Sequence, residues 1–196
     1  QQVSSAASDV YKRQIHNGKI LYAIEEERLN RVKHSAGFPE KSIKWCLKQS
    51  GLSIKDIDHI AINSLPKAHL LKKIIFTLRN RPNPLFILDR IKLKIKRNSF
   101  ESQLIDSLEE FKITSSFHFI EHHLAHMASA FYASPFESSA VLSVDGFGDF
   151  ASTAWGLGND NELKIDDQVI FPHSLGILYT AITQYLGFPN YGDEYK

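Results

Sequence analysis

One stretch limits the possible folds more than any other. Ala140-Val141-Leu142-Ser143-Val144 runs nearly continuously apolar and then breaks into Asp145-Gly146-Phe147-Gly148-Asp149. A short apolar run of this kind suits a central strand. Glycines set among acidic residues read as a tight turn, and Ala151 to Leu157 as the strand returning from it. Asn159-Asp160-Asn161 gives a second turn, with Leu163 to Ile170 as a third strand. His173-Ser174 then caps a helix from Leu175 to Leu186. Upstream, Phe117 to Ile120 reads as a strand, followed by a helix through Leu124, Ala128 and Phe131 to Tyr132 that Pro135 ends.

The first half follows a similar order. Asn17-Gly18 is a hairpin signal, and Lys19 to Glu25 alternates as its second arm. Residues 1–14 are polar, lack periodicity and make a poor first arm, so they are expected to be foreign or mistranslated sequence replacing the natural start. Glu25-Glu26-Glu27-Arg28 and Arg31-Val32-Lys33-His34 follow as a charged loop or short helix. Pro39 opens a helix that ends at Gly51 with Ile43, Cys46 and Leu47 inward. Asp58 to Asn63 is a short strand. Two or three helical stretches are expected between Pro66 and Phe111, interrupted at Arg81-Pro82-Asn83-Pro84.

Hairpin, helix, strand, helices, strand and helix thus precede three strands and a helix, and the second run restarts the first. That order predicts a layered α/β fold built by duplication. The expectation is an incomplete actin-like, sugar-kinase-like ATPase fold of the duplicated ribonuclease H-like type. Its first subdomain covers 15–138 with a helical insertion at about 66–111, and 139–196 begins a second, truncated one.

Composition narrows the partners. A net charge of +1 over 196 residues gives no ground for a general nucleic-acid or membrane-surface role. The short basic run Lys92, Lys94, Lys96 and Arg97 reads as a solvated helix face. No apolar run approaches the ~18 residues of a membrane span. The single cysteine, Cys46, excludes a disulfide framework and reads as a small buried hydrophobe. With no secretory signal, it predicts a reducing, cytoplasmic setting.

The sharpest chemical signal is Glu121-His122-His123-Leu124-Ala125-His126. On a helix, His122 and His126 stand one turn apart on one face, a spacing at which two imidazoles can bite one divalent metal. His123 points elsewhere. A carboxylate is needed as well, and Asp145 is the candidate, being at the end of an apolar strand directly after that helix. The same spacing also suits a helix-capping His122 and a core-packed His126. Gly146 and Gly148 can let the backbone approach a phosphate or simply turn a hairpin. Phe171 to Gly176 offers either an anion site at a helix start or a plain Ser174 cap. Arg28, Arg31, Lys33 and His34 form a cationic cluster suited to a phosphate or to solvent.

Three blocks, Ile20 to Pro39 (ILYAIEEERLNRVKHSAGFP), Glu121 to Asp149 and Phe171 to Phe188, occur in the order and spacing of a known family. They closely resemble the N-terminal domain of the NodU/CmcH carbamoyltransferases, which act in nodulation-factor and antibiotic tailoring. The resemblance implies the actin-like fold and an O-carbamoyltransferase. In such an enzyme a carboxy-terminal YrdC-like domain makes carbamoyl-adenylate from ATP and carbamoyl phosphate. The N-terminal domain passes the carbamoyl group to a hydroxyl of a sugar or other small molecule. It implies a metal, iron(II), on His122, His126 and Asp145, with a further aspartate from elsewhere. It also implies nucleotide contacts from Gly146, Gly148 and Lys196, the last within a truncated GDEYK match. A His-Asp pair expected on the first strand of such proteins is absent from residues 1–14, so no acid or base is assigned, and the 196-residue piece alone is expected not to turn over. Two other readings stay open. The tRNA threonylcarbamoyl-transfer enzyme shares the metal pair but carries Glu-Gly before the second histidine, where Leu124-Ala125 stand here. A non-catalytic ligand-binding module on the same fold is the other.

Overall fold

The computed structural model describes residues 11–32, 37–65, 67–80, 100–108, 113–190 and 192–195. Their contacts divide the chain into two units. One takes in the described parts of Ser8–Ile60 and Leu71–His118, the other those of Ala61–Leu70 and Phe119–Lys196.

In the first unit, strands β1 (Tyr11–His16) and β2 (Lys19–Glu25) form an antiparallel hairpin around Asn17-Gly18. The hairpin signal was legible, but the expectation of a poor first arm fails: Tyr11 to Gln14 pair with Glu25 to Tyr22. Backbone pairing to an alternating partner forms this strand despite its polar side chains. A short helix α1 (Glu26–Asn30) follows, and then helix α2 (Glu40–Ser50), which ends at Gly51 as read from the sequence.

Helix α2 starts after Pro39, which brings no side-chain cap. Glu26 supplies one from α1. Its buried carboxylate accepts hydrogen bonds from the amides of Lys41 (3.2 Å) and Ser42 (2.7 Å) and from the Ser42 hydroxyl (2.6 Å). Negative charge at a helix start satisfies orphan N–H groups and complements the dipole. Cys46 is buried, and Ile43 and Leu47 pack with Ile54, Leu104 and Ile113 in this unit's core. Leu104 belongs to helix α4 (Phe100–Leu108); helix α3 (Leu70–Asn80) is the other described helix of the expected insertion. The break at residues 81–84, the basic run at 92–97, and Lys33 and His34 lie outside the described residues.

Strands β3 (His59–Ile62) and β4 (Ser116–Phe119) pair with each other, and the division between the units falls within both. The second unit continues with helix α5 (His122–Phe131) and the antiparallel sheet β5 (Ser138–Gly148), β6 (Ala151–Asn159) and β7 (Glu162–Ile170). Helix α6 (Leu175–Tyr185) follows. Met127 and Phe131 of α5 pack on Val141 and Ala154 of the sheet. Phe131 lies so close to β6 that a Cβ on Gly158 would stand 2.6 Å from its ring.

The predicted turn is displaced. Asp145 to Gly148 remain in β5, and the chain reverses at Asp149 and Phe150, with φ of 51° and 79°. Gly148 pairs with Ala151 across this two-residue turn. The glycines drew the turn forward in the sequence, but two non-glycine residues adopt the left-handed conformation that a tight hairpin requires. The ladder is also irregular here: Val144 pairs with Thr153 and Gly148 with Ala151, so three residues of β5 face one of β6. Such a bulge re-aims side chains.

Candidate metal centre

The bulge holds Asp145, and helix α5 presents its first residue, His122, and His126 one turn later. The three side chains converge. His122 Nε2 lies 2.8 Å from Asp145 Oδ2 and 3.1 Å from His126 Nε2, and His126 Nε2 lies 3.7 Å from the same carboxylate oxygen. Donor atoms that share an ion at ~2.0–2.2 Å stand roughly 3–3.5 Å from one another, so this spacing suits one cation. Among the described residues this is the one cluster of three or more potential ligands, all within 4.8 Å. Its side chains are 9%, 17% and 16% exposed, so the site is reachable but largely desolvated. Two imidazoles and a carboxylate also form the donor set that binds divalent iron, manganese, cobalt or zinc.

Neighbouring carboxylates hold the start of α5. Glu121, not His122, caps helix α5 by accepting from the Leu124 amide at 2.7 Å, and its other oxygen accepts from Gln168 Nε2 at 3.1 Å. Asp149 accepts hydrogen bonds from the His122 amide (3.0 Å), the Leu65 amide (2.7 Å) and the Ser64 hydroxyl (2.9 Å). His123 turns away, as expected, and contacts Ser143 Oγ at 2.9 Å while fully buried. Sequence reasoning missed the role of Asp149. Its position at a hairpin turn concealed a carboxylate that gathers two segments.

Electrostatics separates the three side chains. For Asp145, burial works against the charged form, but the hydrogen bond to His122, the Gly146 amide and the charges of both histidines hold its pKa below the ordinary carboxylate range. Burial likewise opposes protonation of His122. The Asp145 hydrogen bond and the Asp145 and Asp149 charges overcome it and raise its pKa. His126 is lowered by burial and then by His122. The cluster therefore offers an ionised carboxylate and one imidazole kept neutral, as metal ligation requires.

Gly146 and Gly148, expected to bring backbone against a phosphate, stand inside this cluster. The Gly146 amide donates to its neighbour Asp145 Oδ1 at 2.6 Å. Gly148 lies directly beneath the His122 imidazole, where a Cβ would overlap the ring. Ser174 caps helix α6 by accepting from the Ile177 amide, and its hydroxyl lies 3.1 Å from the Asp145 carbonyl and 2.7 Å from that of Gly146. Gly176 is pressed against the same peptide, with a Cβ there only 2.6 Å from the Asp145 carbonyl oxygen. Of the cationic cluster, Arg28 pairs with Glu25 at 2.9 Å. Lys196 lies outside the described residues.

Comparison with known proteins adds an independent finding. The carbamoyltransferase N-terminus family matches residues 8–196. Nodulation protein NolNO of Sinorhizobium fredii is 36% identical over 186 residues, covering 93% of this chain and 26% of that protein. An uncharacterised protein of Synechocystis sp. is 36% identical over 191 residues, covering 93% of this chain and 31% of its own length. One from Methanocaldococcus jannaschii is 28% identical over 194 residues, covering 98% and 30%. The chain therefore spans between a quarter and a third of the length of these relatives.

Proposed function

Since this chain belongs to the carbamoyltransferase N-terminus family, we propose that it is the transfer half of an O-carbamoyltransferase with a divalent cation, iron(II), on His122, His126 and Asp145. The acceptor, a hydroxyl of a sugar or another small molecule, attacks the carbamoyl carbon of carbamoyl-adenylate, formed from ATP and carbamoyl phosphate in the full-length protein. The new C–O bond replaces the bond to the phosphate, AMP leaves, and the hydroxyl proton is released. The observation that carries this reading is the meeting of the three donor atoms within 4.8 Å. When bound, such an ion supplies Lewis acidity that polarises the carbamoyl carbonyl.

The chain's own residues do the rest. Asp145 would contribute one negative charge against the ion's two, and His126 a neutral nitrogen. Asp149 holds the start of α5 so that His122 stays in register with the carboxylate. A nucleotide arriving beside Asp145 meets backbone rather than a side chain at Gly146. The run from α5 through β5, β6 and β7 into α6 supports the larger proposal that 139–196 opens the second half of an actin-like fold.

The test uses full-length protein. Wild type is expected to bind one equivalent of iron(II) or cobalt(II) anaerobically and to carbamoylate an acceptor with ATP and carbamoyl phosphate. The double variant His122→Ala, His126→Ala is expected to lose the tightly bound ion and the transfer while still forming the adenylate. Full metal content and undiminished transfer in the double variant would overturn the assignment.

A further inference from the structure

Helix α3 is built the wrong way round for a helix that only supports a core. Its sequence is LLKKIIFTLRN. Leu71, Ile74, Ile75 and Leu78 recur at helical spacing on one face, and that face points to solvent: Leu71 is 69% exposed, Ile75 54% and Leu78 71%. The less exposed positions are Lys73, Phe76 and Thr77. No residue of the helix is buried. A contiguous exposed aliphatic stripe of this kind marks an interaction surface.

Every charged residue of the helix is basic. Lys72 and Arg79 flank the Ile75 edge of the stripe, Lys73 lies beyond the opposite edge, and the helix has no acidic residue. The chain on either side extends the pattern. From Lys67 to Arg97 the sequence has ten lysines and arginines and one acidic residue, Asp89, a net +9 in a chain whose total is +1. The remaining residues therefore sum to −8, and the overall neutrality that argued against a surface role hides a strong segregation.

We propose that helix α3 docks on an anionic lipid surface, its aliphatic stripe at the headgroup–acyl boundary and its cations among the lipid phosphates. An apolar face flanked by Lys and Arg is the composition of helices that lie in a membrane interface. Each basic residue near an anionic leaflet adds about 1 kcal/mol. Nucleic acid fits the charge but not the stripe, since leucine and isoleucine neither stack on bases nor donate to their edges. Docking of this kind does not require a span, and among the described residues no helix is long and apolar enough to cross a membrane.

Flotation of the full-length protein with vesicles of equal parts phosphatidylglycerol and phosphatidylcholine, against phosphatidylcholine alone, tests this. Binding is expected to the anionic vesicles, weakening with salt. Replacing Lys72 or Lys73 by Gln is expected to lower it about fivefold. Leu71→Ser with Leu78→Ser is expected to lower it more than tenfold. These side chains are exposed or half-buried, so unchanged thermal unfolding should accompany the loss. Failure to bind anionic vesicles overturns the proposal, as does equal binding to both kinds. Retention on RNA in place of vesicles, or a dimer in sedimentation that Leu71→Ser with Leu78→Ser dissolves, also overturns it.

Discussion

Replacing Gly148 by alanine tests the candidate centre at its tightest point. The new methyl would fall on three atoms of the His122 ring, at separations real side chains do not reach. Ordinary carbon contact is about 3.5–4.0 Å, so the imidazole or the strand must retreat on the order of an ångström. The strand is tied by its pairing with Ala151, and His122 is tied through its amide to Asp149; the ring is the part that yields. A metal ligand tolerates only about 0.2 Å of displacement. On the proposed assignment the ion then loses a ligand, and affinity is expected to fall at least 100-fold, the upper end of what disturbing a ligand's supports costs. Overpacking should add a loss of folding stability of about 1–3 kcal/mol. Gly146→Ala is the control, since a Cβ there meets only Ile177 Cδ1 at an ordinary 3.7 Å. Anaerobic cobalt(II) titration, read by the visible spectrum, should show Gly148→Ala impaired and Gly146→Ala near wild type. Wild-type affinity and spectrum in Gly148→Ala would refute the reasoning.

Further outcomes follow from other contacts. Glu26→Ala removes the carboxylate that closes the start of α2 and is expected to cost about 2–3 kcal/mol in urea denaturation; Glu26→Asp, too short to reach, should not rescue it. Asp149→Ala frees the His122 amide and the segment at Ser64 and Leu65, and a 10–100-fold loss of metal affinity is expected by calorimetry. In chelator-treated protein the lowered pKa of Asp145 contributes stability above about pH 3.9 that is lost as pH falls through its folded value. The raised pKa of His122 contributes stability below about pH 6.5 that is lost as pH rises through its folded value. Asp145→Asn should flatten both limbs of a urea-midpoint profile against pH; a profile parallel to wild type would show that the pair contributes nothing.

What the sequence disclosed depended on whether the information was local. The His122 and His126 pair was legible because helical spacing alone puts them on one face, and α2 because Pro39 and Gly51 punctuate it. Asp145 reads as a strand-end residue, yet it sits in a bulge that the chain passes before turning at Asp149 and Phe150. Strand β1 was missed because its side chains do not alternate in polarity; its partner strand defines it. Glu26 reads as part of a charged loop or short helix, the second of which α1 bears out, and Gly148 as part of a turn. Their roles come from contacts 16 and 26 positions away in the chain, with Ser42 and His122, which no local pattern contains.

The hydroxyl of Ser174 serves two masters, the opening turn of α6 and the carbonyls at Asp145 and Gly146. With Gly176 wedged on the same peptide, the start of α6 and the backbone of Asp145 are held against each other. A molecule that pushes or draws the start of α6 is therefore expected to move the Asp145 peptide with it, and on the proposed assignment to shift the carboxylate offered to the ion.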